Sequence, residues 1–327
     1  MKLHILFFKK KFVYYALAFI VFSTIFTVLL VIRNKSLSTF NIVTESKMMQ
    51  ADLTGDGTKD ILYIKTETET DKYYIQINSQ DKSYYLEPSK KINTVGNYYK
   101  EWPMRLTLMD ISTNNKPEIF TQASVENAAS LQDTSSINNK AVQHVFLWNN
   151  EKFDDIFCST NNILGFIDSK NNKTPKVLSG NIKDGKMTFT SYIFIKNRLK
   201  SFNYNYDDNY MGKNTITGFI NLMTSFPQSE LNMSKEPFSP DLNGNDISLL
   251  NDLWNKKIYF NFQDAVFKDS NWDKEGNASK ILWTLNFKGS TERDSKDTKN
   301  YTIELILKPI PKSDTTSTFK ISSISIK

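Results

Sequence analysis

The sequence predicts an N-terminal transmembrane helix, then a mainly β region built of repeats, then a small α+β domain with a curved antiparallel sheet. Three observations predict this. An uncharged apolar run fills Phe12 to Ile32. Acidic turns recur at equal spacing through the middle of the chain. After Tyr210 strand-like alternation gives way to helical periodicity, and strands return only from Ile258. The resulting division is a basic cytoplasmic tail over 1–11, a spanning helix over 12–32, β repeats over 36–210 and an α+β domain over 211–327.

The run from Phe12 to Ile32 is 21 residues long. At about 1.5 Å per residue, a helix of that length reaches roughly 31 Å, enough to cross a hydrocarbon core of about 30 Å. A helix also satisfies its own backbone polar groups in lipid. Lys2, Lys9, Lys10 and Lys11 precede the run, and only Arg33 and Lys35 follow closely. The heavier positive flank stays in the cytoplasm, so the bulk of the chain is expected outside it, as the ectodomain of a single-pass cell-membrane protein. Tyr14 and Tyr15 suit the aromatic belt at the interface. The alternative is a cleaved signal peptide, whose apolar region would be about 7–15 residues before a small-x-small site. Val31-Ile32-Arg33-Asn34 is no such site, and the one cysteine, Cys158, is too distant for a lipoprotein signal.

The chain holds 41 Lys and Arg against 35 Asp and Glu. Six of the basic residues and none of the acidic ones lie in the first 35 positions, so the remainder is balanced. That balance argues against a nucleic-acid partner, which calls for a basic surface. A single cysteine excludes an intramolecular disulfide, leaving packed cores, with or without a metal, to hold the body together. Asn, Lys, Ile and Tyr are abundant, a composition that resembles the output of an AT-rich Gram-positive genome.

The clearest motif is Asp52-Leu53-Thr54-Gly55-Asp56-Gly57-Thr58-Lys59-Asp60, followed by the apolar run Ile61-Leu62-Tyr63-Ile64. It offers side-chain oxygens at Asp52, Thr54, Asp56 and Asp60, a carbonyl at Thr58, and a turn at Gly57. Calcium takes six to eight hard oxygen ligands, and alternating oxygen-bearing positions in a turning loop supply them. Position twelve is Tyr63, not the bidentate Glu of an EF-hand, so the loop is expected between strands rather than helices. The frame returns at Asp110–Glu118 and at Asp168–Lys176, each leading aspartate 58 residues after the last. The second loop has Asn115 where the first has Gly57. The third has Lys170 and Lys176 at ligand positions, where a cation repels calcium. Only the first loop is therefore an expected Ca2+ site, with Asp52, Thr54, Asp56, Thr58 and Asp60 as ligands. The alternative for all three is an Asx-type turn, held by side-chain to backbone hydrogen bonds.

These loops and their flanking strands resemble the FG-GAP/VCBS repeat, the calcium-loop blade of integrin-type β-propellers. The resemblance covers about residues 40–210, and Val145–Phe153 is similar to the outer hairpin of such a blade. It departs at Thr54, where the family carries Asn or Asp. The resemblance implies a bracing metal loop rather than a catalytic one. Propellers close with about four to eight blades, so three repeats imply an open stack, strands recruited from elsewhere, or a divergent further blade.

Beyond Tyr210, Ile216, Phe219, Ile220 and Met223 stand at the spacing of a one-sided helix, with Asn214 or Thr215 as cap and Pro227 beyond its end. A second helix is expected near Asp246–Trp254, with Ile247, Leu250 and Trp254 on one face. Strand-like segments follow at 258–262, 280–288, 301–308 and 318–326. Helices followed by a curved antiparallel sheet are similar to the nuclear-transport-factor-like (SnoaL-like) fold, by element order alone.

No catalytic motif stands out. His4 lies on the cytoplasmic side of the run, and His144 sits in the strand-like stretch Val142–Trp148. Cys158 has no evident base, and the histidines and cysteine make no zinc cluster. Asp154-Asp155 and Asp207-Asp208 are adjacent pairs, which point to opposite faces of a strand. Asp241, Asn243 and Asn245 imitate a calcium loop, but Asp246 replaces the needed glycine. Tyr84-Tyr85, Tyr98-Tyr99 and Tyr204/Tyr206/Tyr210 offer a sugar- or peptide-binding surface or ordinary sheet residues. The expected function is a membrane-tethered, non-enzymatic interaction or ligand-binding protein for a protein or carbohydrate at the cell surface. The alternatives are an extracytoplasmic, glycosidase-like hydrolase using carboxylates and an accessory subunit of an envelope complex.

Overall fold

The computed structural model describes residues 48–67, 69–89, 91–125, 140–172, 174–183, 185–203, 211–227, 236–292, 297–310 and 318–327, with 11, 14–15 and 19–24 near the N-terminus. The chain divides into two compact units, Met1–Phe40 and Asn41–Lys327.

In the first unit, Lys11, Tyr14–Tyr15 and Phe19–Thr24 are helical. The rest of the Phe12–Ile32 run lies outside the described residues. No helix among the described residues is long and apolar enough to cross a membrane. The transmembrane helix expected from hydropathy is therefore not supported.

The second unit contains, among the described residues, sixteen strands and two α-helices. Three successive four-stranded antiparallel meanders come first. They are β1 (Met48–Ala51) to β4 (Lys82–Tyr85), with β2 (Asp60–Thr66) and β3 (Tyr73–Ser79) between them; β5 (Arg105–Met109), β6 (Glu118–Val125), β7 (Lys140–Trp148) and β8 (Phe153–Ser159); and β9 (Ile163–Ile167), β10 (Lys176–Lys183), β11 (Lys186–Ile195) and β12 (Arg198–Phe202). Helices α1 (Lys213–Thr224) and α2 (Gly244–Asn255) follow, then β13 (Tyr259–Trp272), β14 (Ala278–Ser290), β15 (Thr298–Ile310) and β16 (Thr318–Ile326).

The third meander does not end in a free edge. β9 pairs in parallel with β13, with Ile163 opposite Ala265 and Gly165 opposite Phe267. One eight-stranded sheet results, in the order β12-β11-β10-β9-β13-β14-β15-β16. Strands hold 54 % and helices 14 % of the described residues, so the body is mainly β to its end. This corrects the expected small α+β domain following the repeats: its strands complete the sheet of the third meander. The reason lies in β9, whose five residues are all buried. Unpaired backbone N–H and C=O groups on such a strand would be costly, and β13 supplies their partners.

Burial separates outer from inner sheets. β3 alternates, burying Tyr73, Ile75, Ile77 and Ser79, as an antiparallel strand with one covered face does. β6 buries every residue from Glu118 to Ser124, because neighbours cover both of its faces. The first two meanders share one core, with Leu62, Ile64, Ile75 and Ile77 packed with Leu106, Leu108, Ile119 and Phe146. A second core lies between the helices and the large sheet. There Ile216, Phe219, Ile220 and Met223 of α1 and Leu250 and Leu253 of α2 cluster with Phe267, Trp283 and Leu305. Ile247, read from the sequence as core-facing, is 37 % exposed, since Leu250 and Leu253 turn a different stripe inward. Alternation sends Leu164, Phe166, Asp264 and Val266 to the opposite face. That face meets the second meander through the edge-on Phe120–Phe166 pair and through Arg105. The Arg105 guanidinium forms an ion pair with Asp264 Oδ1 at 3.2 Å, with the two side chains 1 % and 0 % exposed.

At the β9–β13 seam a Cβ added to Gly165 would lie 2.1 Å from Cζ of Phe267, and that ring is stacked on Trp283 at 4.2 Å. The ring has no room to retreat. Gly165→Ala is therefore expected to lower the unfolding free energy by about 1–3 kcal/mol, read as a lower denaturant midpoint. An unchanged midpoint would show that Phe267 does not rest on Gly165.

Candidate functional site

The three acidic loops each connect the first and second strands of a meander: β1–β2, β5–β6 and β9–β10. In loop one, Asp52 accepts from the backbone N–H groups of Gly55 at 2.6 Å and Gly57 at 3.0 Å. Asp56 accepts from the N–H of Thr58 at 2.7 Å and from its hydroxyl at 2.6 Å, and from the Gln80 amide at 2.8 Å. Asp60 Oδ2 accepts from the N–H groups of Leu53 and Thr54 at 2.7 and 2.9 Å. Loop two repeats the scheme. Asp110 accepts from Asn114 and Asn115 N–H, Asn114 from Lys116 N–H, and Glu118 from Ile111 N–H at 2.8 Å. Left-handed backbone recurs at the same two positions, Gly55 and Gly57 in one loop, Thr113 and Asn115 in the other.

Loop three differs because Lys176 stands where the others have a carboxylate. The carboxylate comes instead from β13: Asp269 accepts from Asp168 N–H at 3.2 Å. The turn after β13 clamps the same loop, with the Trp272 indole donating to Asp168 O at 2.8 Å and Lys170 N–H donating to Gly276 O at 2.9 Å.

The donors proposed for calcium thus share one loop. Asp60 is buried, and its Oδ1 has no hydrogen-bond partner. Thr54 lies beside it, with its hydroxyl 3.3 Å from Asp60 Oδ2. Asp56 and Thr58 are exposed. Hydrogen bonds from Thr58 hold the Asp56 carboxyl below its ordinary range, so it is a ready anion. Among the described residues no three acidic, histidine or cysteine side chains already converge on one point. Asp52 and Asp56 would have to turn from backbone N–H groups towards a cation, while Asp60 offers an oxygen that nothing else claims. The donor set, hard oxygens with one orphaned buried atom, fits calcium chemistry.

The sequence-level imitation at Asp241–Asn245 is a helix cap: Asn243 accepts from Asn245 N–H at the start of α2. Asp207-Asp208 and Tyr204/Tyr206/Tyr210 lie outside the described residues. Tyr98 packs edge-on against Tyr73.

Tyr84 and Tyr85 have a different setting. Tyr84 packs edge-on against Trp148 and Phe153 across the first two meanders, while Tyr85 is 54 % exposed. Both line a groove of about 960 Å3 between the chain after β4, the start of β8 and the β11–β12 turn. A second cavity of about 610 Å3 lies beyond the strap Leu86–Val95 and is also lined by Tyr85 and Pro88. His144 and Asp155 fasten this strap at both ends. Asp155 Oδ2 lies 2.8 Å from His144 Nδ1 and accepts from Ser89 N–H at 2.7 Å, and His144 Nε2 lies 3.0 Å from Thr94 O. His144 is fully buried with both ring nitrogens engaged, which argues against its serving as a base. Cys158 receives the Ser89 hydroxyl at 3.3 Å.

Sequence reading missed the groove and the His144–Asp155 pair. Their residues come from three separate segments, and the one local signal was the pair of tyrosines at the end of a strand. No protein-family model matches this chain, and no curated protein matches its sequence.

Glu118 carries a pH signature. Burial pushes its carboxyl above the ordinary value, opposed by the Ile111 N–H and reinforced by Asp110. A raised folded-state pKa favours the fold while the group is protonated, and that contribution is lost as pH rises through the elevated value. Glu118→Gln, which still accepts the Ile111 N–H, is expected to gain stability relative to the parent as pH rises over the range from the ordinary glutamate value up to the elevated one. Denaturant midpoints across that range check it, and a constant difference would place the Glu118 carboxylate in a solvated setting.

Proposed function

We propose that this protein is a non-enzymatic ligand-binding or interaction module, a β scaffold braced by calcium at its first acidic loop. The observation that carries the reading is the groove at Tyr85. It is of the roughly 300–1,000 Å3 size that binds small ligands, and its tyrosines sit on a framework fixed by Trp148, Phe153 and the His144–Asp155 pair. A protein segment or a carbohydrate at the cell surface is the proposed ligand.

Loop one supports the calcium brace through Asp52, Thr54, Asp56, Asp60 and the Thr58 carbonyl. Bound there, calcium would tie the ends of β1 and β2 together without taking part in chemistry. Calcium sites of extracellular modules bind at roughly 10⁻⁴–10⁻³ M, so the reading takes the working compartment to be outside the cytoplasm. The hydrolase reading has less support, because Asp155, an acid lining the groove, is held by His144 and Ser89 N–H.

Thermal melting of the full chain in calcium tests the reading. Saturation at about 100 times Kd is expected to add about 2.7 kcal/mol, seen as a rise in melting temperature. Asp56→Ala should abolish that rise while leaving the metal-free melt nearly unchanged, since Asp56 is exposed. No calcium response in the parent would remove the metal from the proposal.

A further inference from the structure

The charges around the groove are unevenly committed. Asp154 is bonded to the Asn149 amide at 2.6 Å and lies 3.6 Å from the Lys152 ammonium. Asp155 is held by His144 and Ser89. Lys196 and Arg198, at the tip of the β11–β12 hairpin, also line the groove and are exposed. Among the described residues neither has a carboxylate partner. At the tip, Lys196 and Asn197 both take left-handed backbone, φ 50° and 58°, as a two-residue turn matched to strand twist requires. The exposed ring of Tyr85 lines the same groove as these cations. Glu87, exposed near Tyr85, is the lining carboxylate without a partner among the described residues.

We propose that this groove binds an acidic oligosaccharide, with Arg198 and Lys196 taking the carboxylates of uronic acid units and Tyr85 stacking on a sugar face. The proposal rests on the ligand-binding reading above and names its ligand class. The guanidinium of Arg198 presents the planar fork that matches a carboxylate. A tyrosine ring supplies apolar area with a hydroxyl at its edge, which suits the mixed face of a sugar. Two cations on separate side chains of one groove suit singly charged groups on successive units. A phosphate would ask for more positive charge at one point than the tip carries. Glu87 marks the wall that acidic units must avoid and so sets the direction in which a chain lies.

Calorimetric titration of the full chain with a galacturonate tetramer and with the neutral galactose tetramer tests this. The acidic tetramer is expected to bind about tenfold or more tightly than the neutral one, and Arg198→Gln and Tyr85→Ala should each weaken it about tenfold. Raising salt should weaken the acidic tetramer alone, because the contacting charges are exposed. Glu87→Gln should strengthen it, whereas a basic ligand would lose affinity in that variant. Each substitution is at an exposed side chain, and an unchanged melting temperature shows that the fold is intact. Equal binding of the two tetramers, or binding indifferent to Arg198→Gln, overturns the acidic class and leaves the ligand-binding reading standing. Binding of neither tetramer, or binding of a lysine-rich peptide that Glu87→Gln abolishes, overturns the saccharide itself. The calcium response of loop one is measured separately and is untouched by either result.

Discussion

The parallel pairing of β9 with β13 is the constraint on which the second unit depends. β9 is buried on both faces, so its outer edge cannot face water and must find hydrogen bonds inside the protein. β13 provides them, with Ala265 N–H donating to Asn162 O at 2.9 Å at the start of the paired stretch. Gly165 makes the approach possible by leaving space for the Phe267 ring. Once that seam is closed, the third meander and the last four strands share one sheet, and α1 and α2 have a face to cover.

The same arrangement explains the polar layer between the second meander and the large sheet. Arg105 and Gln122 are cross-strand partners on one side, and Asp264 and Asn286 on the other. Arg105 pairs by charge with Asp264 and donates to the Thr284 carbonyl, and the Trp102 indole donates to the second carboxylate oxygen of Asp264. Burial drives the Asp264 carboxyl upward, with Arg105 and Trp102 pulling against it. A buried pair of this kind contributes less to stability than to position, since desolvation offsets much of the attraction. Here it joins β5 of the second meander to β13 of the large sheet. The His144–Asp155 pair does the same between the first two meanders by fastening the Leu86–Val95 strap, and so it sets the walls of both cavities.

Local features were legible in the sequence and distant ones were not. The buried stripe of α1 is written within eight residues, Ile216 to Met223, and nothing in the fold displaces it. The acidic loops are equally local: each carries its own turn and the acceptors for its own N–H groups, apart from loop three, which lacks a carboxylate at Lys176 and borrows Asp269. The β9–β13 pair joins residues about a hundred positions apart, and β9 alone reads as any short apolar strand. That is why the last third was read as a separate α+β domain. The groove is assembled from β4, β8 and the β11–β12 turn, so only Tyr84 and Tyr85 hinted at it. Hydropathy over Phe12–Ile32 pointed to a spanning helix, and no helix among the described residues is long and apolar enough to cross a membrane.

If one sheet runs through β9 and β13, the two halves of that sheet must open together. Native-state hydrogen exchange on the intact chain measures this directly. The predicted result is one shared opening free energy for the protected amides of Ile163–Ile167 and of Ala265–Phe267 with their β14 partners, shifting together in Gly165→Ala. Two distinct opening free energies, with β13–β16 retaining protection after β9–β12 have lost theirs, would contradict a shared sheet and restore a separate C-terminal domain.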